Sequence, residues 1–352
     1  MTTVITGTGM AVPDTVVTND DLSWIMDTDD DWISSRTGVH ERRLVDPGIG
    51  SSDLGIIAGR AAIEDAGLLA NQVDALVTAT MTPDFVAPGI AALVQHGLGL
   101  GQIPAFDLRQ QCSGFLYGLD LADALISSKR ANTVLVVGAE VHAGFLPWGA
   151  RNTDGSLIPA DAAQRELNNR HRNWSVLFGD GAGAMIVRKG VDPSSGVVAS
   201  QLFTDGTQFD LIAVPGLGFR HQPYADHDQI DRGRHWPVMD GGGLYRQAVR
   251  LMPAAVRSVC KQAAVDIDEI DIVVAHQANE RILDGVRRQL GLSPDKVPSN
   301  IASYGNTTSA TLPILYHELK AAGRVPPGHL ICFTAFGAGS HWGALLYREP
   351  GR

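Results

Sequence analysis

Long apolar runs are missing from this 352-residue sequence. No stretch approaches the roughly 18 residues that a bilayer-spanning helix needs, which argues against a membrane protein. Cysteine is scarce: Cys112, Cys260 and Cys332 are far apart and form no CxxC spacing. Neither a disulfide framework nor a zinc knuckle is encoded, and a reducing compartment fits. Charge is thin as well, at 19% of residues, with 28 Lys and Arg against 38 Asp and Glu for a net −10. No window concentrates the basic residues, so a nucleic-acid or anionic-membrane partner is not expected. The opening MTTVITGTGM has no basic segment followed by an apolar stretch, so no leader is expected and the reading is a soluble cytoplasmic protein. What is plentiful is apolar side chain (44%) with Gly 39 and Pro 18, enough for a substantial, turn-rich core in about two domains of roughly 150 residues each.

Residues 73–80 (VDALVTAT) and 132–141 (NTVLVVGAEV) are β-branched apolar runs, separated by Ala-rich helical patterns at 88–97 and 114–128. Strands buried on both faces read this way, and the alternation predicts an α/β chain. Residues 269–276 (EIDIVVAH) repeat the pattern of 72–79 (QVDALVTA), a hint of a duplicated unit. Two stretches, 145–173 and 216–237, are rich in Pro, Gly, His, Arg and Asp without a sustained apolar period. They predict long surface excursions, of the kind that serve as lids or mobile insertions. The halves are set at 1–185 and 186–352, divided after FGDGAGA (178–184).

Cys112 lies where an apolar strand gives way to a helical pattern, in PAFDLRQQCSGFLYGLDLADAL. A helix N-terminus favours the nucleophilic thiolate, and thiols so placed can titrate at roughly 3.5 to 7.5. The alternative is a buried structural cysteine, which is the reading for Cys260 and Cys332. His276 closes the strand IDIVVA and precedes a helix with Ile282, Leu283, Val286 and Leu290 at helical spacing; a strand's C-terminal edge is where α/β proteins hold ligands. Asn306 sits at a Gly-containing turn before another helix, as a cap would. A thiol, an imidazole and a carboxamide at three such ends can together perform acyl transfer. His221, Asp226, His227, Asp228, Asp231 and His235 match no metal motif and read as a solvated loop. FGDGAGA has no following Lys-Ser/Thr, so a phosphate loop is not expected.

Cys112 in CSGF, His276 in HQAN and Asn306 in YGNTTSA resemble the active-site motifs of β-ketoacyl-acyl-carrier-protein synthase III. Asp31-Trp32-Ile33, Arg36-Thr37-Gly38, FGDGAGA and the terminal FGAGSHWGALLYR extend the likeness over nearly the whole chain outside the two excursions. The resemblance implies a thiolase-like fold of two βαβαβαββ halves in five αβαβα layers, acting as a homodimer. It implies that Cys112 takes an acyl group from acyl-coenzyme A and passes it to a malonyl thioester, malonyl-carrier protein or malonyl-coenzyme A, with loss of carbon dioxide. His276 and Asn306 would donate to the malonyl thioester oxygen, and backbone N–H groups of Cys112 and of Gly337, Ala338 and Gly339 would hold the oxyanion. Trp32, Arg36, Arg172 and Asn279 would bind coenzyme A, and Arg246, Arg281, Arg287 and Arg288 would dock an acidic acyl carrier protein. No cofactor or metal is implied. Ala87, beside Phe85, stands where acetyl-primed members often carry Phe, which points to a roomier pocket for a medium-length, branched or aromatic primer. Ser340 and His341 stand where a degradative thiolase needs a second cysteine. A polyketide or signal-molecule priming synthase and a non-decarboxylating acyltransferase of the same fold are the alternatives.

Overall fold

Residues 75–79 and 133–140 are buried at every position, so each needs a covering layer on both faces. The computed structural model describes residues 2–351 and supplies those layers. The first half runs β1 (Thr2–Ala11), α1 (Asp30–Thr37), α2 (Ser51–Asp65), β2 (Ala75–Ala79), α3 (Ile90–Leu98), β3 (Ala105–Leu108), α4 (Gly114–Ser127), β4 (Thr133–Glu140), α5 (Ala162–Ser175) and β5 (Gly181–Gly190). The second runs β6 (Gly196–Thr204), α6 (Gly241–Ala263), β7 (Ile272–Ala275), α7 (Glu280–Leu290), α8 (Thr311–Ala321), β8 (Leu330–Gly337) and β9 (His341–Arg348). Without α1 and α5 the first half is βαβαβαββ. The second repeats it one strand short: Val273 N–H donates to Lys296 O (2.7 Å) where the missing strand would lie, as Leu76 N–H donates to Pro104 O (3.0 Å) in the first half.

The sheets have strand orders β1-β5-β4-β2-β3 and β7-β8-β9-β6. Helices α4 and α8 lie between them, where Phe115, Leu119, Leu312 and Leu315 share one core with Val136 and Phe333. The outer faces are covered by α2 and α3 on the first sheet and by α6 and α7 on the second, giving αβαβα. Because β2, β3 and β7 run parallel to their neighbours, the loops into α4 and out of β7 emerge at the same end of the sheets.

The division at 185/186 falls inside β5; the chain leaves the first sheet after Gly190 and enters the second at Gly196. The first excursion is not irregular throughout. It holds α5, capped by the Asp161 carboxylate on Gln164 N–H (2.8 Å), and Trp174 and Ser175 close that helix. Polar contacts fasten it: Asn168 donates to Ile25 O (2.9 Å), Asn169 to the Asp27 carboxylate (2.7 Å), and Arg165 pairs with Asp27 (2.9 Å). A helix held by its polar face shows no apolar period. In the second excursion Asp226 caps the short helix His227–Asp231, Asp228 pairs with Arg232 (2.8 Å), and His221 bonds Pro215 O (2.8 Å).

One glycine joins the halves. Gly305 has φ +62° and ψ −155°, and a Cβ there would stand 2.6 Å from Leu177 O, which accepts from Asn306 N–H (2.7 Å). Side chains are strained in this region by about 1–3 kcal/mol before any clash. Gly305→Ala is expected to lower stability by about 3 kcal/mol, read as the urea midpoint at unchanged slope; an unshifted midpoint would contradict it.

Candidate active site

After β3 the chain turns through Gln111, whose φ of +52° is left-handed, into a single 3-10 turn, Gln111–Ser113, that runs on as α4. The turn sets Cys112 at the N-terminus of a helix enclosed by both sheets. Its partly open side faces a cavity instead of bulk water. Burial pushes the thiol up to about 12, the nearby Glu140 carboxylate acts in the same direction, and the residue's own N–H only partly opposes them. Burial thus works against the depressed range expected from the helix terminus.

His276 follows the last residue of β7 and is buried. Its Nδ1 lies 2.7 Å from Thr311 Oγ1, on the first turn of α8, and burial pushes the imidazole down to about 3. Asn306 is held between Gly305 and Thr308, whose φ is +45°. Thr308 N–H donates to Asn306 Oδ1 (2.8 Å), which fixes the carboxamide and leaves Nδ2 as the free donor. Three residues on, Ser309 donates through N–H (3.3 Å) and Oγ (2.6 Å) to Glu140, which also accepts from Thr82 Oγ1 (2.8 Å) and Met81 N–H (3.0 Å).

The loop after β8 completes the surroundings of Cys112. A Cβ on Gly337 would stand 3.0 Å from Cys112 N and 2.9 Å from Ser113 N, so glycine keeps the space beside those amides open. Ala338 has no positive φ, whereas Gly339 has φ +136°. The alanine is thus accommodated, and the N–H groups of Ala338 and Gly339 have no backbone partner among the described residues.

Cys112, His276, Asn306 and Gly337–Ala338–Gly339 line one cavity of about 690 Å³, and Trp32, Arg36, Asn279 and Arg281 lie along the same cavity. Arg36 and Arg172 stack on the Trp32 ring, with Cζ 4.7 and 4.3 Å from its centroid. Asn279 caps α7 and donates to Arg36 O (3.0 Å), while Arg281 donates to Ser35 O (2.8 Å). Phe85 and Ala87 are not in this chain's cavity; both are exposed on the loop before α3. Arg287 is a correction: it is buried, bound to Glu280, Asp284 (2.8 Å) and Val297 O (2.8 Å), and has no free face for docking. Arg246 and Arg288 are exposed. Sequence reasoning missed the apolar wall of Met81, Phe145, Trp174, Phe178, Met239 and Met252. Of these only Phe145 falls inside an excursion; Trp174, directly after the first, meets Trp236 of the second (6.4 Å between ring centroids).

A thiol on a buried helix terminus, an imidazole, an oriented carboxamide and unpaired backbone donors around one cavity define an acyl-transferring enzyme of the thiolase fold. Family models for "3-Oxoacyl-[acyl-carrier-protein (ACP)] synthase III" match residues 106–165 and 156–206, and the model for its C-terminal part matches 260–349. The β-ketoacyl-[acyl-carrier-protein] synthase III of Roseiflexus sp. (strain RS-1) is 40% identical over 344 residues, 98% of this chain and 97% of that protein. The crystal structure of 3-oxoacyl-[acyl-carrier-protein] synthase III from Aquifex aeolicus VF5 superposes with a TM-score of 0.84 at 36% identity, covering 98% of this chain and 99% of the other. The priming β-ketosynthase of the R1128 polyketide pathway superposes with 0.84 at 30% identity, covering 99% and 97%. The chain belongs to the 3-oxoacyl-[acyl-carrier-protein] synthase III family and is a condensing enzyme. No helix among the described residues is long and apolar enough to cross a membrane.

The raised thiol makes a direct prediction. Alkylation of Cys112 by iodoacetamide is expected to climb about tenfold per pH unit through pH 9 and 10 without a plateau, as a group titrating near 12 requires. A plateau near neutral pH, followed by mass spectrometry of the Cys112 peptide, would mean that the helix terminus dominates.

Proposed function

We propose that Cys112 accepts an acyl group from an acyl-coenzyme A primer, and that the acyl-enzyme then condenses with a malonyl thioester carried on acyl carrier protein. The reading rests on one observation: Cys112, His276 and Asn306, from three separate parts of the chain, line a single cavity. In the first half-reaction Cys112 Sγ attacks the thioester carbonyl, and the N–H groups of Cys112 and of the 337–339 loop stabilise the oxyanion. In the second, carbon dioxide leaves the malonyl group, Asn306 Nδ2 donates to the enolate oxygen, and the carbon attacks the acyl carbonyl. The 3-oxoacyl thioester departs. His276 has only Nε2 left to meet the reactants, because Thr311 occupies Nδ1. Both thioesters are substrates, and the chemistry calls for no cofactor.

Trp32, Arg36 and Arg172 form the coenzyme A end, with the indole offering a stacking face and the guanidiniums pairing with phosphate. Asn279 lies beside the pantetheine path. Arg246, Arg281 and Arg288 remain exposed for an acidic carrier protein once Arg287 is set aside. A homodimer is supported by β3, an edge strand exposed along Ala105–Asp107, with Phe85 and Val86 57% and 65% exposed nearby. Pairing there would bring the loop of Phe85 and Ala87 from one protomer to its partner.

The primer is larger than acetyl: a medium-length, branched or aromatic acyl group. A cavity of about 690 Å³ walled by Phe145, Trp174 and Phe178 has room for such a chain beyond the pantetheine arm. Likeness to the R1128 priming ketosynthase favours a second reading, in which the product starts a polyketide and not a fatty acid.

A panel of acyl-coenzyme A esters, with the Cys112 peptide weighed, is expected to label with larger acyl groups, and exclusive labelling by acetyl would refute the primer reading. Adding malonyl-carrier protein should then release carbon dioxide and a 3-oxo product, which a simple acyltransferase would not. Asn306→Ala should retain acyl-enzyme formation and lose about 10²–10³-fold in condensation.

A further inference from the structure

The backbone donors sit on the hairpin loop 338–340 between β8 and β9, where Gly339 at φ +136° gives the chain freedom. Ser340 holds one side of that loop by a pair of backbone hydrogen bonds with Asp205, both 2.9 Å. His341 holds the other. Its carbonyl accepts from Oγ of Ser113 (2.8 Å), the residue after the nucleophile, and its Nδ1 lies 2.9 Å from Thr204 Oγ1 at the end of β6. The Tyr117 ring stands edge-on to the imidazole, with 5.9 Å between centroids, and its hydroxyl donates to Phe203 O (2.7 Å). Fixed in this way, the imidazole covers Gly339: a Cβ there would overlap Cδ2 and Nε2. His341 is half-buried on the cavity wall, and no step of the two half-reactions uses it. Partial burial holds its imidazole below the usual histidine range, so above neutrality the ring works uncharged, by shape and hydrogen bonding.

We propose that His341 is a positioning residue for the oxyanion loop, its imidazole walling Gly339 so that the N–H groups of Ala338 and Gly339 stay turned to the Cys112 thioester. The proposal rests on the acyl-cysteine reading above. Both half-reactions pass through a tetrahedral carbon whose oxygen holds the displaced electron pair. In the first, Cys112 Sγ enters as the coenzyme A sulfur leaves, and the proton given up by Sγ ends on that sulfur. In the second, the enolate carbon enters as Sγ leaves, and solvent returns a proton to Sγ. The same loop meets the oxyanion each time, so a residue that orients the loop governs both steps. Asn306, which meets the enolate, governs only the second. A half-exposed imidazole adds little to the core, which separates this role from stability.

Rapid quench, with a coenzyme A ester that the unaltered enzyme accepts, gives the acylation rate. Formation of 3-oxo product from pre-acylated enzyme and malonyl-carrier protein gives the second. His341→Ala is expected to slow both about tenfold at a KM within about twofold, a smaller loss than outright removal of a donor. His341→Asn should recover most of both rates, because its carboxamide overlays Nδ1 and Cδ2 and still reaches Thr204. Thr204→Val should slow the two halves in equal measure, and combined with His341→Ala it should cost nothing more than His341→Ala alone. Slowing of one half only, an effect confined to KM, additive losses or no recovery by asparagine would each overturn the proposal. If His341→Ala does not fold, Thr204→Val and His341→Asn decide by the same two rates. Acyl-enzyme on Cys112 in the unaltered protein tests the parent reading separately, since its absence would sink that reading whatever His341 does.

Discussion

A buried carboxylate that pairs with no cation among the described residues holds this site together. Glu140 ends β4 and is fully enclosed, where an ionised group costs several kcal/mol unless its oxygens are satisfied. Thr80, Met81 and Thr82 satisfy it from the loop after β2, and Ser309 does so from the turn after Asn306. The two halves of the molecule thereby meet on one side chain. Met81, on the cavity wall, and Asn306, its carboxamide, cannot shift independently, because each is within a few residues of a donor that Glu140 requires. The same charge, close to Cys112, resists a second negative charge on sulfur.

Enclosure has paired consequences for the reacting groups. It raises the thiol and lowers the imidazole, so Cys112 and His276 rest as a neutral pair and not as thiolate and imidazolium. A resting thiol of this kind is a poor nucleophile toward stray electrophiles. Nucleophilicity then has to arise with the substrate in place, when proton transfer and bond formation can accompany each other and the backbone donors have an oxyanion to meet. Those donors gain strength for the same reason the thiol is weak: both lie out of bulk solvent.

How much of this was legible in the sequence follows from where each signal originates. The buried strands at 75–79 and 133–140 and the helix at 114–127 announce themselves through apolar runs, and the likeness of QVDALVTA to EIDIVVAH marks β2 and β7 as equivalent strands. Cys112, His276 and Asn306 were legible because each follows a strand or turn and precedes a helix. Helix α5 was not, because its faces are polar and its fastening is by Arg165, Asn168 and Asn169 to residues 25–27. The state of the thiol was not legible either. A helix N-terminus can be read from sequence, whereas the depth at which it is enclosed depends on layers contributed from hundreds of residues away. Arg287 shows the same limit: it was expected at the surface with Arg246, Arg281 and Arg288 as part of a docking set, and only packing reveals Glu280, Asp284 and the Val297 carbonyl around it.

The first excursion ties two parts of the cavity to one rigid element. Arg172, stacked on Trp32, and Asn173 and Trp174, on the cavity wall, are consecutive residues in the last turns of α5. The helix is bound along its length to the segment preceding α1, which carries Trp32, and its end meets Trp236 of the second excursion. A substitution that tilts α5 to enlarge the wall would therefore also move the guanidinium on Trp32. Changes in the volume near Phe145 and Trp174 and in the stacking at Trp32 are coupled by the stiffness of a single helix. A lineage altering its acyl group has a simpler route through side chains off that helix, such as Met81, Met239 and Met252, whose flexible thioethers repack without moving backbone.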